Sequence, residues 1–294
     1  MSLATDHLDT DVDWPARAPD RRFLPVVLLG LCLLYLPIYL HLSDTLWRQE
    51  QYAHGPIIAL AAAFLFWRAR ARLSALPSPQ RTLVGCLIFA GGLLLAWLGK
   101  TQDIPLIATL SQLPVLAGIL LVLYGGTGLR IVSFPLLFLL FMVPLPGLLV
   151  DALTLQLKEW ISAAAVQLLH GAGYPVARSG VIIVIGQYQM LVADACSGLH
   201  SLFSLSALGL LYIHIRPQRQ MWHKALMIAA IVPIALIANF LRTLALLLIT
   251  YHAGDVAARA WHDVAGILLF LLALMLLSGI DACLVRREVQ RTTT

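Results

Sequence analysis

The chain has 294 residues, 60% of them hydrophobic and 12% charged, whereas a soluble domain carries about 25% charged residues. So few charges exclude a water-soluble surface and place the chain among integral membrane proteins. Its net charge of +5 follows from the membrane topology derived below and calls for no nucleic-acid partner.

Residues 1–22 are polar and read as a disordered cytoplasmic tail. A bilayer core takes about 20 apolar residues per helix. Such runs lie near 23–42, 55–67, 83–99, 113–128, 131–149, 198–215, 225–250 and 264–282. They predict an all-α polytopic membrane protein with about eight transmembrane helices. The first run is too long for a cleavable signal peptide and reads as an anchor. The second is short, and either His54 or the stem of Arg68 can extend it by snorkelling. The Pro-Ser-Pro stretch at 77–79 reads as a loop. Residues 148–171 have helical periodicity with Asp151, Gln156, Lys158, Glu159, Ser162 and Gln167 interspersed, which predicts an amphipathic interfacial helix. Segments 181–185 and 188–192 flank Gly186-Gln187 and read as a small two-stranded β-hairpin. Residues 252–261 read as a short loop, and 286–294 as a C-terminal cytoplasmic tail. The transmembrane domain is therefore 23–285. No internal repeat is visible.

Orientation follows from Lys and Arg. Arg17, Arg21 and Arg22 precede the first span; Arg68, Arg70, Arg72 and Arg81 follow the second. Arg130 follows the fourth, Arg216, Arg219 and Lys224 the sixth, and Arg286, Arg287 and Arg291 the last. All share one side, so both termini are expected in the cytoplasm. The interfacial helix and the hairpin then lie on the exocytoplasmic side.

Four cysteines occur. Cys32, Cys86 and Cys283 sit in or at the end of apolar helices, where Cys packs as a small hydrophobe. Cys196 lies in Ala193-Asp194-Ala195-Cys196-Ser197-Gly198, at the outer start of the sixth span. A helix N-terminus favours thiolate, the nucleophilic form. Position alone leaves an ordinary helix-start residue equally open. Arg242, in Asn239-Phe240-Leu241-Arg242, is inside an apolar span, where it costs about 2.5–3.5 kcal/mol. Asn239 shares its face, and both are expected to point into the bundle. A snorkelling or ion-paired Arg is the bland alternative. His262 lies at the outer start of the last span, and His54, in Tyr52-Ala53-His54-Gly55-Pro56, is on the same side. The pair Gly55-Pro56 reads as a turn. A Cys, a His and an Arg on one membrane face supply the parts for acyl transfer. No His-Glu-x-x-His, Cys-x-x-Cys, Gly-x-Ser-x-Gly or phosphate loop occurs, so no metal and no cofactor is expected.

The motifs resemble those of the exosortases, membrane transpeptidases of bacteria that export exopolysaccharide. Ala195-Cys196-Ser197-Gly198 is similar to the family's nucleophile motif, and Asn239-Phe240-Leu241-Arg242 to its Asn-x-x-Arg motif. His262, followed by Gly266, is similar to its final His segment. Tyr52-Ala53-His54-Gly55-Pro56 resembles its His-Gly element and the subtype called exosortase B. The resemblance covers about residues 23–285. It implies a thiol protease or transpeptidase of the inner membrane with its active site facing the periplasm. Cys196, Arg242 and His262 would be catalytic; His54, Asn239, Ser197 and Gly198 would bind substrate. The substrates would be exported proteins ending in a Pro-Glu-Pro (PEP-CTERM) signal, an apolar helix and a basic tail. The product would pass to a surface acceptor or to water. A transporter or assembly subunit of an exopolysaccharide export machine is the rival reading; it explains Arg242 but not Cys196 and His262 at the same depth.

Overall fold

The computed structural model describes residues 24–49, 52–76, 82–191, 198–216 and 220–292. The chain is mostly helical. In order it forms α1 (Leu24–Asp44), α2 (Gly55–Ser74), α3 (Thr82–Thr101), α4 (Pro105–Leu110), α5 (Gln112–Ile131) and α6 (Ser133–Phe138). A 3-10 turn (Leu139–Met142) and α7 (Gly147–Gly171) follow. Then come strands β1 (Val176–Ser179), β2 (Ile182–Ile185) and β3 (Tyr188–Leu191), and helices α8 (Gly198–Ile215) and α9 (Met221–Thr292). Helix α9 is broken at Gly254, whose φ of 85° and ψ of 169° are not helical. It is therefore two arms, before and after that residue.

The chain divides into two compact units. One joins the described residues up to Tyr39 with Ala62–Leu137. Its packing rests on glycine: a Cβ on Gly85 would stand 2.7 Å from Val122 Cγ2, and one on Gly92 2.7 Å from both Val115 Cγ2 and its backbone nitrogen. Gly99 meets the backbone of Ala108 in the same way. These glycines recur every seventh residue on α3 and let it lie directly against α4 and α5. Helices in lipid use small residues so, because apolar side chains gain nothing by leaving lipid. Buried polar groups pair across this unit: Tyr35 with Ser111 at 3.1 Å, and Tyr39 donating to Gln112 at 2.6 Å.

The second unit joins Leu40–Ala61 with Phe138–Thr294. Its sheet has the order β1-β2-β3, antiparallel throughout, with Ser179 opposite Ile182 and Ile185 opposite Tyr188. Gly180 and Gly186, both at φ 58°, take the first place of each two-residue turn, as a type II′ hairpin requires. Ile183 and Ile185 point inward and are wholly buried, packed with Ile161, Ala165 and Leu169 of α7 and with Leu244 and Leu247 of α9. The inward α7 residues fall every fourth position, the spacing of one helical face.

Several expectations change. Five helices are long and apolar enough to cross a membrane among the described residues: Leu24–Asp44, Leu83–Thr101, Pro105–Ile131, Met221–Trp261 and Val264–Arg286. The expected number was eight. The other three runs also form helices. In α2, Arg68, Arg70 and Arg72 shorten the apolar stretch. Ser133–Met142 and Phe203–Ile215 are shorter apolar helices. The expected hairpin is present, but a third strand, β1, completes a sheet. Residues 252–261 are helical except at Gly254, not a loop. Gly55 begins α2 rather than a turn, since Ile58 N donates to His54 O at 3.0 Å. Cys32, Cys86 and Cys283 are exposed rather than packed inside. The N-terminal tail and the 77–79 loop lie outside the described residues.

Candidate active site

The first arm of α9 carries one buried stripe: Ala235, Ala238, Asn239, Arg242, Thr243, Leu246 and Thr250. Apolar residues alone would make it ordinary core. Asn239, fully buried, and Arg242, 7% exposed, turn its middle into a polar face, and Thr243 Oγ1 secures the turn by donating to Asn239 O at 3.1 Å. The sequence-expected pair thus shares one buried face.

Two anchors further along fix how the helices line up. On α8, a Cβ at Gly209 would lie 2.9 Å from Ile231, so those helices touch at that point. Between the arms of α9, His223 Nε2 bonds Asp281 Oδ1 at 2.8 Å. The short connection makes α8 and the first arm antiparallel, and the His223–Asp281 bond shows that the two arms fold back on each other. Eleven residues separate Gly209 from Gly198, and eleven separate Ile231 from Arg242. Nineteen separate His223 from Arg242, and nineteen separate Asp281 from His262. Every residue advances a helix by about 1.5 Å. The start of α8 at Gly198, Arg242 and the backbone of His262 therefore share one level. The side chain of His262 and all of Cys196 and Ser197 lie outside the described residues. His262 is two turns inside the second arm, not at its start as the loop reading implied. That arm opens at Asp255, whose carboxylate receives Arg259 Nε at 2.9 Å.

Sequence reasoning did not find the anchoring network. Asp281, 5% exposed, also accepts from Tyr212 at 3.1 Å, and Arg216 donates to that tyrosine at 2.8 Å. Asp281 was legible as the one acid inside the last apolar run.

His54 is placed elsewhere in the second unit. As N-cap of α2 its backbone is fixed, and a Cβ on Gly55 would collide with the Trp47 indole. Its Nε2 bonds Phe141 O at 3.2 Å, while Tyr52 donates to Leu145 O at 3.0 Å. Phe141 O ends a 3-10 turn, and the residue three places on is Pro144, which has no N–H to give it. The imidazole fills that place. Because a carbonyl only accepts, Nε2 carries the proton and Nδ1 is left as the acceptor. Burial lowers the His54 pKa below 6.5, against a smaller opposing effect of the Phe141 bond; burial raises that of Tyr52. The ring lines a cleft with Trp47, Tyr52, Leu145, Val150 and Phe203. Phe203 meets the Phe141 ring edge-on at 6.0 Å. It is only five residues from the start of α8 at Gly198, about 7.5 Å along the axis. No cluster of His, Cys, Asp and Glu among the described residues could hold a metal.

A buried Asn and Arg inside an apolar bundle, level with the start of a neighbouring helix, mark a candidate polar site within the spans of a membrane protein. The family model of the transmembrane exosortases matches residues 46–279, and the chain belongs to that family. Membership makes it a membrane protein of peptidase or transpeptidase type. No curated protein and no solved structure matches the chain.

Proposed function

We propose that the protein is a thiol transpeptidase or protease that removes the C-terminal sorting signal of exported proteins. Cys196 attacks the scissile carbonyl, and Arg242 donates to the oxyanion. His262 protonates the leaving amine and then receives a proton from the acceptor or from water. Asn239, Ser197, Gly198 and His54 contact the substrate. The observation that carries this reading is the common level of Gly198, Arg242 and His262, obtained from the Gly209–Ile231 and His223–Asp281 anchors. A transporter would need the buried Arg242 but not this coincidence.

The substrate is an exported protein with a Pro-Glu-Pro motif, an apolar helix and a basic tail, of the kind met in exopolysaccharide-producing bacteria. Its helix lies against the bundle in the lipid. The His-Gly element at 54–55 supports the exosortase B subtype. In this reading α2, Ser133–Met142 and α8 complete eight crossings of the inner membrane, with both termini in the cytoplasm and the site toward the periplasm. An impermeant thiol reagent outside spheroplasts should then label Cys196 and leave Cys283 unlabelled; labelling of Cys283 overturns the orientation.

The decisive experiment is C-terminal mass spectrometry of a co-expressed substrate of that design. Wild type should yield a shortened C-terminus, and Cys196→Ala an intact one with the enzyme still in the membrane. Cleavage by Cys196→Ala at the wild-type rate would end the thiol mechanism.

A further inference from the structure

The end of the first unit where α2 stops carries an unbalanced charge. Arg68, Arg70 and Arg72 lie in the last two turns of α2 and Arg130 in the last turn of α5, and all four are exposed. The two helices are neighbours there. Leu73 is buried with Leu120 and Val132 and packed by Leu129 and Ile131, and a Cβ on Gly128 would stand 3.6 Å from Leu73 Cδ2. The four arginines therefore gather at one end of the unit. None of them has a carboxylate partner among the described residues, whereas Arg48, Arg216 and Arg259 each have one. The unit's one described acid, Asp103, follows the far end of the 20-residue α3, about 30 Å from the start of that helix.

The charge adjoins an apolar surface. Phe64 and Trp67, one turn apart on α2, are 51% and 56% exposed, with ring centroids 6.0 Å apart. The Arg70 guanidinium lies over the Trp67 ring, 4.2 Å from its centroid. An open aromatic pair beside cations is what a helix presents where it leaves hydrocarbon for the headgroup layer. Stacking uses the face of the guanidinium. Its in-plane N–H donors remain for a ligand, in the fork that grips a phosphate by two oxygens.

We propose that this end of α2 binds an anionic phospholipid. The headgroup phosphate sits among Arg68, Arg70, Arg72 and Arg130, and an acyl chain runs along Trp67 and Phe64. Charge and apolar surface together select that occupant. A zwitterionic lipid covers the rings but brings a cation of its own to the arginines. A free anion answers the charge and gains nothing from the rings. The bound lipid neutralises a cluster that otherwise repels itself, and so steadies the junction of α2 with α5. The assignment is independent of the thiol mechanism and of Arg242.

The test titrates full-length protein in detergent with phosphatidylglycerol or phosphatidylcholine and counts bound lipid by native mass spectrometry. Wild type should prefer phosphatidylglycerol by about tenfold or more, since each arginine at a membrane surface raises affinity for anionic lipid about fivefold. Arg68→Gln/Arg70→Gln/Arg72→Gln should then weaken phosphatidylglycerol binding about 10²-fold and leave phosphatidylcholine binding unchanged. Where the triple variant does not fold, Arg70→Gln decides, with an expected loss of about fivefold. Trp67→Ala, which removes the ring under Arg70, should weaken binding about 2–5-fold. Arg178→Gln, at an exposed arginine of β1 in the second unit, should change nothing. Equal binding of the two lipids by wild type would overturn the proposal. An affinity unchanged by Trp67→Ala, or lowered as much by Arg178→Gln as by the α2 variants, would also overturn it, by reducing the site to diffuse charge. Displacement of the lipid by equimolar inorganic phosphate would make it a free-anion site instead. Phosphatidylglycerol binding that appears only after deletion of residues 2–22 would give the patch to the acidic segment of Asp6, Asp9, Asp11 and Asp13, and the lipid would lose its claim.

Discussion

Replacing Asp281 by Ala should loosen the register that brings Arg242 and His262 level. Asp281 is buried, and its carboxylate receives His223 at 2.8 Å and Tyr212 at 3.1 Å. Arg216 stands at 3.7 Å with about half its side chain exposed, so that ion pair contributes about 0–1 kcal/mol. The larger loss is inside. Each hydrogen bond contributes about 1 kcal/mol net, and removing one partner of a buried pair costs about 3–5 kcal/mol because the other is left uncompensated. We expect Asp281→Ala to cost about 3 kcal/mol, which lowers Tm by roughly 6–12 °C at the 2–4 °C per kcal/mol of a domain this large. Thermal unfolding of purified protein in detergent, read by far-UV circular dichroism, measures it. Because His223 loses its meaning without Asp281, the double variant Asp281→Ala/His223→Ala should fall short of the summed single effects by about 1 kcal/mol or more. A Tm for Asp281→Ala within about 1 °C of wild type, or strictly additive singles, would refute the anchoring role and with it the register argument.

Gly92→Ala should cost about 1–3 kcal/mol, since its Cβ would stand 2.7 Å from the Val115 backbone nitrogen and overpacking of that kind cannot be relieved by a rotamer. Its neighbour Gly91 has nothing within 4 Å, so Gly91→Ala should be neutral or gain up to about 1 kcal/mol from helix propensity; equal effects in the same unfolding assay would rule out the glycine contact. Arg242→Lys should lower kcat by about 10²–10³-fold, the loss typical of an oxyanion donor, because the ammonium cannot reproduce the guanidinium fork. Near-normal turnover would make Arg242 an ion-pair residue. The burial of His54 carries a pH signature. Its folded pKa lies below 6.5, so the unfolded chain takes up the proton first as pH falls. Its stabilising contribution is present above about pH 6.5 and is lost as pH drops below that value toward the folded pKa. His54→Gln should remove that part of the acid loss in an unfolding titration from pH 7.5 to 5; unchanged pH dependence would contradict it.

The sequence makes the membrane class plain because composition is a global property, and α7 and the β2–β3 hairpin because their periodicities are local. Strand β1 was not legible: Val176-Ala177-Arg178-Ser179 has no apolar alternation, and it is a strand because its backbone pairs with β2. Its one signal was Gly180, in the same place before β2 as Gly186 before β3. The loop read at 252–261 failed for a related reason. Asp255 and Arg259 look like a polar connection, yet an acid at a helix start and a base one turn later also favour helix. One residue, Gly254, suffices to turn the chain, so the polar pair opens the second arm instead of bridging a gap.

The candidate site could be read from the sequence in its residue types but not in its geometry. Motif order and the basic loops lead to the expectation of Cys196, Arg242 and His262 on one membrane face, but depth in a bundle is set by what the helices grip. Here the grip is at Gly209 on Ile231 and at His223 on Asp281, residues that belong to no motif. Their contacts join positions 22 and 58 apart in sequence, beyond the reach of any periodicity. His54 shows the same dependence from the other direction. Its chemistry is fixed by a carbonyl 87 positions away, and that carbonyl seeks a donor because Pro144 cannot supply one. A proline in one segment thus selects the tautomer of a histidine in another. Placing an N–H donor at position 144, as in Pro144→Ala, would give Phe141 O a backbone partner and release the ring. Nitrogen NMR of the His54 ring should then show the Nε2–H tautomer alone in wild type and a mixture of both tautomers in Pro144→Ala; the Nε2–H tautomer alone in both would mean that the Phe141 carbonyl does not set it.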